Sequence, residues 1–381
     1  MVVTPEISPA VSPGGPAQAR PAMQYGAIPG LPKRVSRVIY GTLFLHKAAD
    51  PFELLDAIWE SGCNTFDCAK VYGDGQCEKI LGKWIVSRKI PREDLVVVTK
   101  GGCNGQEKLW SPNISDGALR ADILASSERL GLQHLDVFML HRDDPTIEVA
   151  DIVTMMDHFQ REGLVTAWGV SNWDAERIRA ALEYAQAEGK AMPVCDSLQF
   201  SLAQPTRSVW PDTQYMRPES REWYARTGTA VLAWECLAKG FMAGKWGREH
   251  VATAATAMAH PEKYAHLKPT GESAAEWREL QLVVAYCTDG NFDRRERAAV
   301  AAAASGLSIA QIALKYVASQ PFQAFVLVGT TKVKNWLENA GGGAAPLLTP
   351  AQLVWLETGE GDCPFKEPVP PEPFSKLFGA D

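Results

Sequence analysis

Three stretches of this sequence share one pattern: NTFDCAKVYGDG at residues 64–75, LVVVTKGG at residues 95–102 and LDVFMLHRDD at residues 135–144. In each stretch, a short apolar run ends at polar side chains. Such runs, bounded by turn residues, are typical of strands buried on both faces of a parallel sheet. Because the carboxyl ends of parallel strands meet at one edge, we expect the polar side chains that follow them to lie together.

The polar side chains at these strand ends are Asp67, Tyr72, Lys100 and His141. A phenol has a pKa near ~10, and a nearby ammonium such as that of Lys100 makes it a better proton donor. Asp67 can keep Lys100 protonated, and His141 can orient a carbonyl oxygen. Taken singly, each has a simpler interpretation as a turn residue, a helix cap or a solvated charge. Their shared position at successive strand ends favours a site for carbonyl reduction.

Apolar runs and helical periodicity alternate along most of the chain. The predicted strands lie near residues 38–41, 63–67, 95–99, 136–140, 166–170, 197–200, 230–234 and 325–329. The predicted helices lie near residues 51–62, 76–88, 116–131, 147–162, 174–188, 218–227, 308–319 and 332–340. Eight alternating units predict an α/β fold with a closed parallel sheet, a (β/α)8 TIM barrel.

Three segments depart from this alternation. Residues 1–32 and 359–381 are rich in proline, and we predict flexible tails on a barrel that spans residues 33–358. In the second tail, four apolar residues could pack back onto the barrel: Phe365, Phe374, Leu377 and Phe378. Residues 241–305 form a long insertion between the seventh and eighth strands, which we expect to overhang the carboxyl ends of the strands.

The composition excludes some classes of protein. The 381 residues carry a net charge of −7, which argues against a general binder of nucleic acid or anionic membranes. No apolar run is long enough to span a bilayer and the N-terminus lacks a secretion signal, so we expect a cytoplasmic location. The eight cysteines form neither CxxC pairs nor a zinc-type spacing, which indicates a reducing compartment and no metal site.

The stretch VGTTKVKNWLEN at residues 328–339 leads from the last strand into a helix. Gly329, Thr330 and Thr331 at the start of that helix, together with Lys332, form a corner suited to an anion such as a phosphate. A capped surface helix is the simpler alternative. No GxGxxG follows the first strand, so a Rossmann dehydrogenase is disfavoured.

The chain resembles the aldo-keto reductases across roughly residues 35–340. The matching stretches, in family order, are IYGTLFL, NTFDCAKVYGDGQCEKILG, VVVTKGG, ERLGLQHLDVFMLHRDDP, REGLVTAWGVSNW, DSLQFSL, VLAWECLAKGFMAGKW and FVLVGTTKVKNWLEN. The resemblance implies reduction of an aldehyde or ketone to an alcohol by hydride transfer from NADPH, without metal or flavin. It also implies that Tyr72 is the general acid, that Lys100 and Asp67 tune it, and that His141 orients the carbonyl.

The resemblance further implies an NADPH site at the carboxyl ends of the strands. Ser171, Asn172 and Gln199 would hold the nicotinamide carboxamide, and Trp234 would stack on the nicotinamide ring. The other implied cofactor contacts are Gly41, Thr42, Leu237, Lys239, Gly240, Gly329, Thr331, Lys332, Asn335, Glu338 and Asn339. Within this set, the GTTK corner would hold the 2′-phosphate of the adenosine.

Three residues depart from the family pattern. Cys68 replaces a common threonine after the catalytic aspartate, and Lys70 replaces a common acidic residue. Lys70 either tunes Tyr72 or points to solvent. Glu235 stands where a serine is common near the pyrophosphate, and a carboxylate there would repel phosphate. We therefore expect Glu235 to point away, to pair with Lys239 or Lys332, or to weaken cofactor binding.

Aromatic and aliphatic residues near the predicted strand ends suggest an apolar wall. Its candidate members are Leu43, Phe44, Trp110 and Trp173, with Trp210, Tyr215, Trp246 and Trp277 as possible additions. Such a wall would favour aromatic or aliphatic carbonyls over charged sugars. Packing in the core is an equally good interpretation of these aromatic residues.

Two other functions stay open. One is an NADPH-sensing regulatory or binding subunit with little turnover, because the family includes barrels that act as regulatory partners of channels. The other is a Schiff-base lyase in which Lys100 is the nucleophile. The expected partner is a small-molecule carbonyl substrate, with no nucleic acid and no membrane, and the chain is expected to be a monomer or a small homo-oligomer.

Overall fold

The computed structural model describes residues 23–104, 111–210, 212–259, 274–342 and 346–365. Eight parallel strands form a closed barrel: β3 Val38–Gly41, β4 Thr65–Asp67, β5 Val96–Gly101, β6 Leu135–Leu140, β7 Val165–Ser171, β8 Cys195–Ser197, β9 Ala230–Ala233 and β10 Ala324–Val328. Each strand pairs with the next along the chain, and β10 pairs with β3 to close the ring. The predicted TIM barrel is confirmed.

Twelve α-helices lie within the described ranges. They are α1 Pro51–Glu60, α2 Gln76–Arg88, α3 Asp116–Leu130, α4 Val149–Arg161, α5 Ala175–Ala187, α6 Arg221–Thr227, α7 Glu249–Ala259, α8 Ala274–Tyr286, α9 Asp289–Ser305, α10 Ile309–Ala318, α11 Val333–Gly342 and α12 Pro350–Thr358. Local signals define several ends: Asp50 caps α1 just before Pro51, and Ser115 caps α3. Gly131 ends α3 in the left-handed conformation.

The alternation of side chains along the strands divides the core in two. Val96 and Val98 of β5, with Val137 and Met139 of β6, belong to the cluster inside the barrel. The residues between them, such as Phe138, pack outward against the helices. Because the side-chain period of a strand is two, the inward row of β5 continues to Lys100.

A hairpin closes the end of the barrel opposite the catalytic residues. Strand β1, Tyr25–Ala27, pairs antiparallel with β2, Arg34–Ser36, and the connecting loop buries Ile28 and Leu31 in the inner cluster. The prediction that the tail extends to residue 32 is therefore wrong for residues 23–32. Proline content suggested disorder, but two buried apolar side chains anchor the loop. Residues 1–22 lie outside the described residues, so their part of the prediction stays untested.

The long insertion is confirmed and is helical where it is described. Helices α7, α8 and α9 lie between β9 and β10. Helix α12 was not predicted; it begins at a capping box formed by Thr349 and Gln352 and packs against α9. Phe365 packs against Trp355 of α12 with ring centroids 5.7 Å apart, as expected. Phe374, Leu377 and Phe378 lie outside the described residues.

In the part of the chain that the structure describes, no single helix is both long and apolar enough to cross a membrane. One pair, α9 with α10, satisfies the length and composition criteria only when joined, and it is bent by 100°.

Candidate active site

The four polar residues predicted from the strand ends form one cluster at the mouth of the barrel. Lys100 Nζ donates to Asp67 Oδ1 at 2.5 Å, to the Cys68 carbonyl at 3.0 Å and to the Tyr72 hydroxyl at 3.3 Å. The His141 ring stands edge-on to the Tyr72 ring, with centroids 5.9 Å apart. The ammonium therefore links the carboxylate to the phenol directly.

Strand geometry explains this convergence. Asp67 and Lys100 lie on the inward rows of β4 and β5, and His141 follows β6 directly. The His141 amide donates to the Gly101 carbonyl at 2.9 Å, which holds the end of β6 against the end of β5. Tyr72 reaches the same point from a turn after β4. The carboxyl ends of three neighbouring strands, β4, β5 and β6, therefore bring these four side chains together.

Burial and charge act in opposite directions on the cluster. Burial alone lowers the pKa of the Lys100 ammonium, but the Asp67 carboxylate and the Tyr72 hydroxyl outweigh it, and the pKa is raised. Burial raises the pKa of Asp67, and Lys100 offsets part of that rise. Burial also raises the pKa of Tyr72, more than the Lys100 charge lowers it. Lys100 therefore makes Tyr72 more acidic than burial alone would leave it, and the phenol stays protonated at neutral pH.

His141 is a neutral hydrogen-bonding group at physiological pH. Burial lowers its pKa well below the ordinary value, and the positive charges of Lys100 and Arg142 add to that effect. Its Nδ1 atom is buried and has no hydrogen-bond partner within the described residues. A neutral imidazole carries one N–H group, which can donate a hydrogen bond to a carbonyl oxygen placed beside the Tyr72 phenol.

Two amides are oriented for a ligand on the next strands around the barrel. Ser171 Oγ donates to the Ser197 carbonyl at 2.9 Å and accepts from Asn172 Nδ2 at 2.9 Å, which leaves Asn172 Oδ1 unpartnered and buried. Gln199 Nε2 donates to the Tyr286 hydroxyl, and Gln199 Oε1 is also buried without a partner in the described chain. Buried amide oxygens without partners are costly, so this pair fits the amide of a nicotinamide carboxamide.

Trp234 lies beside these amides. It follows β9, is half-buried, and pairs with Gln199 in an isolated parallel bridge. The next turn contains Leu237, Lys239 and Gly240, and both Lys239 and Gly240 have positive φ. Backbone N–H groups in such a turn can face a phosphate.

The GTTK corner lies where β10 meets α11. Gly41 and Gly329 face each other at the end of the β3–β10 pair, and a Cβ on Gly329 would come within 3.3 Å of the Gly41 carbonyl oxygen. Thr330 Oγ1 accepts from the Lys332 amide at 3.1 Å, which shapes the start of the helix. The Lys332 side chain is exposed and Thr331 is half-buried. An open cation beside a helix N-terminus fits a phosphate group.

The remaining predicted cofactor residues are spread over this rim. Thr42 is buried, and its hydroxyl donates to the Asp67 carbonyl at 3.0 Å and lies 3.2 Å from Cys68 Sγ. Asn335 and Glu338 are exposed on α11, and Asn339 is half-buried. Thr42 therefore supports the strand end that carries Asp67, whereas the α11 residues form an open edge beside the corner.

Comparison with known proteins decides the family. The model of the Aldo/keto reductase family matches residues 38–353. The chain belongs to that family. Its members generally carry out oxidoreduction that depends on NAD(P)H.

This aldo-keto reductase is similar to two individual proteins. It is 28% identical over 345 residues to a rice (Oryza sativa subsp. japonica) protein named "Probable voltage-gated potassium channel subunit beta", a match that covers 88% of this chain and 96% of the relative. It shares its fold with the aldo-keto reductase AKR11C1 from Bacillus halodurans in its holo form. That superposition has a TM-score of 0.64 at 18% identity, and covers 91% of this chain and 98% of the other.

The departures from the family pattern have partners elsewhere in the structure. Glu235 Oε1 accepts from Lys239 Nζ at 2.7 Å and from Trp210 Nε1 at 2.8 Å, so one of the expected alternatives, pairing with Lys239, is observed. Lys70 Nζ lies 2.5 Å from Asp122 Oδ1, so it neither contacts Tyr72 nor points freely to solvent. Burial raises the pKa of the Cys68 thiol well above its usual range, which keeps it neutral.

The predicted apolar wall is only partly present. Leu43 and Phe44 are exposed by 40% and 42%, as wall residues should be. Trp173 and Trp246 are each 1% exposed and belong to the core cluster, so their prediction as an open wall is wrong. The core interpretation holds for these two: the Arg177 guanidinium of α5 lies over the Trp173 ring, and Trp246 Nε1 donates to Glu279 of α8. The other aromatic candidates are Trp210, Tyr215 and Trp277, all half-buried, and Trp110, which lies outside the described residues.

Sequence reasoning missed two residues next to the site. Arg142 is buried beside His141 and donates to its carbonyl at 3.0 Å. Tyr286 at the end of α8 holds Gln199 from the insertion. The sequence signal for Arg142 was present in HRDD, where a charged residue follows a buried strand end. No local signal marks Tyr286, because the contact depends on how the insertion folds back.

Proposed function

We propose that this protein reduces an aldehyde or ketone to an alcohol with NADPH as the reductant. The observation that carries the proposal is the position of Lys100 Nζ, which contacts Asp67 Oδ1 and the Tyr72 hydroxyl at the mouth of the barrel. The Tyr72 phenol is the proton donor, and the buried Lys100 ammonium, held by the Asp67 carboxylate, keeps a positive charge next to it. The neutral His141 beside the phenol supports binding of a carbonyl oxygen.

The chain's own residues account for binding and proton transfer. A bound nicotinamide cofactor would supply the hydride. Asn172 and Gln199, each with an unpartnered buried amide oxygen, are suited to orient the carboxamide. His141 orients the substrate carbonyl, and the Tyr72 hydroxyl donates its proton to the carbonyl oxygen as negative charge develops there. Lys100 then stabilises the phenolate that remains.

The GTTK corner supports a preference for NADPH over NADH. NADPH differs by a 2′-phosphate, and Lys332 offers an exposed cation at the N-terminus of α11. The exposed Leu43 and Phe44 support an aromatic or aliphatic carbonyl as the substrate class.

The second candidate function is a regulatory subunit that binds NADPH and turns over little. The similarity to the rice protein named as a channel beta subunit favours keeping it. The intact proton-donor series argues for turnover. The Schiff-base alternative loses its support, because the raised pKa of Lys100 keeps its nitrogen protonated and therefore not nucleophilic.

The test compares NADPH oxidation with a reactive aromatic aldehyde in the wild type, Tyr72→Phe and the control Tyr184→Phe on α5. We expect Tyr72→Phe to lose most of the turnover while it still binds NADPH, and Tyr184→Phe to match the wild type. If the wild type binds NADPH but reduces no member of a carbonyl panel, the regulatory candidate replaces the enzyme.

A further inference from the structure

One carboxylate connects the two loops that carry the proton donor and its cation. Asp122 on α3 accepts from Lys70 Nζ at 2.5 Å through Oδ1 and from the Gly102 amide at 2.9 Å through Oδ2. Lys70 lies two residues before Tyr72, and Gly102 lies two residues after Lys100. A single side chain outside the catalytic cluster therefore contacts both neighbouring loops.

The Tyr72 loop has little regular structure of its own. Gly73, Asp74 and Gly75 all have positive φ, and the loop is tied to β5 by the Lys70 amide, which donates to the Lys100 carbonyl at 3.0 Å. The Lys70–Asp122 contact is the side-chain counterpart of that backbone bond. The backbone bond and the side-chain contact together attach the Tyr72 loop to β5 and to α3.

The chain is shaped around this carboxylate. A Cβ on Gly101 would approach Phe138 Cζ to 2.7 Å, Asp122 Oδ2 to 2.8 Å and Asp122 Cβ to 2.9 Å. The glycine therefore leaves room for both the Phe138 ring and the Asp122 side chain. The side chains of Lys70 and Asp122 are 24% and 13% exposed, so water screens the pair less than it screens a surface ion pair.

We infer that Lys70 and Asp122 are positioning residues, which hold the Tyr72 hydroxyl within hydrogen-bond distance of Lys100 Nζ. The inference rests on the proposed function for its effect on turnover. Neither residue touches the reacting atoms. Asp122 acts through Lys70 on the Tyr72 loop and through Gly102 on the Lys100 loop. Lys70, which replaces a common acidic residue, provides the ammonium group that donates to Asp122.

Electrostatics and positioning make opposite predictions for one variant. Asp122→Ala removes the negative charge that pairs with Lys70, two residues before Tyr72, and that loss alone would lower the pKa of the phenol. Loss of positioning would raise that pKa, because the phenol would move away from the Lys100 ammonium. The pKa of Tyr72 can be measured by ultraviolet difference titration of each protein against the same protein with Tyr72→Phe. This measurement does not require turnover.

The experiment compares Asp122→Ala, Lys70→Met and Lys70→Arg with Arg88→Met, which breaks the Arg88–Asp56 ion pair far from the site. For Asp122→Ala and Lys70→Met we expect kcat to fall about tenfold or more, the Tyr72 pKa to rise, and the Kd for NADPH to stay within about twofold. Lys70→Arg should restore most of kcat. Arg88→Met removes a more exposed ion pair elsewhere in the fold and should leave kcat unchanged.

Two results would overturn the inference. One is an unchanged or lowered Tyr72 pKa in Asp122→Ala. The other is a loss of kcat that follows the loss of Tm equally in all variants, including Arg88→Met. If the wild type itself reduces no carbonyl, the proposed function fails, and the titration still decides whether Lys70 and Asp122 hold Tyr72 against Lys100.

Discussion

The ammonium nitrogen of Lys100 lies 2.5 Å from Oδ1 of Asp67, and both side chains are only 2% exposed. Removing one member of a buried ion pair leaves an uncompensated charge, which costs about 3–5 kcal/mol. Asp67→Asn should therefore lower the free energy of unfolding by about that amount in urea. The double variant Asp67→Asn with Lys100→Met should regain part of the stability but no activity. A double variant less stable than Asp67→Asn alone would contradict this account.

The pH dependence of turnover should reflect Tyr72 and not His141. Burial and the charges of Lys100 and Arg142 hold the pKa of His141 well below its usual range, so its charge does not change between pH 6 and pH 8, roughly the window of an ordinary histidine. Burial raises the pKa of Tyr72, so the proton donor is lost only at alkaline pH. We expect kcat/KM for carbonyl reduction to be level near neutrality and to fall above about pH 10.

The control for this profile is His141→Gln, which keeps a hydrogen-bonding group at the position. It should lower kcat/KM but leave the alkaline fall in place. An acidic limb in the wild type that disappears in His141→Gln would show that His141 titrates.

Asp196 on β8 should make the fold less stable as the pH rises. Burial raises its pKa from the ordinary 3.8 to about 7, although the Tyr224 hydroxyl, which donates at 2.6 Å, opposes the rise. Between these two pKa values the unfolded chain is ionised and the folded chain holds the proton, so stability falls from about pH 4 to about pH 7. The loss from this group should be about 1–4 kcal/mol.

Asp196→Asn removes the titrating group and keeps an oxygen that can accept from Tyr224. Urea unfolding across this pH range should show a smaller loss of stability in the variant than in the wild type. Parallel curves for the two proteins would exclude Asp196 as the cause.

Lys332 should account for the preference between the two nicotinamide cofactors. Lys332→Ala should weaken NADPH binding about tenfold, or about 1.4 kcal/mol, and leave NADH binding unchanged, because only NADPH carries the 2′-phosphate. Fluorescence titration measures both dissociation constants. The exposed Lys334, two residues further on, provides the matched control, and Lys334→Ala should change neither. Equal weakening of both cofactors in Lys332→Ala would place the phosphate elsewhere.

Local patterns predicted the barrel because each strand and helix is encoded within its own residues. The strand LVVVTK shows why: its period of two packs Val96 and Val98 inside the barrel and leads the same face to Lys100. The hairpin at residues 25–36 could not be predicted the same way. Its proline-rich composition is typical of a flexible segment. Ile28 and Leu31 are buried only because they close the open end of the barrel, and residues far along the chain form that end.

Periodicity and strand ends are local properties, and parallel strands share one edge. The residues alone therefore predict the eight strand and helix units and the meeting of Asp67, Tyr72, Lys100 and His141. The partners of the charged residues, in contrast, depend on how these elements pack against one another. Lys70 reaches Asp122, Glu235 reaches Trp210 and Gln199 reaches Tyr286. Each of these contacts joins residues that are distant in sequence. Burial, which shifts the pKa values of Asp67, Tyr72 and His141, exists only once those elements have packed.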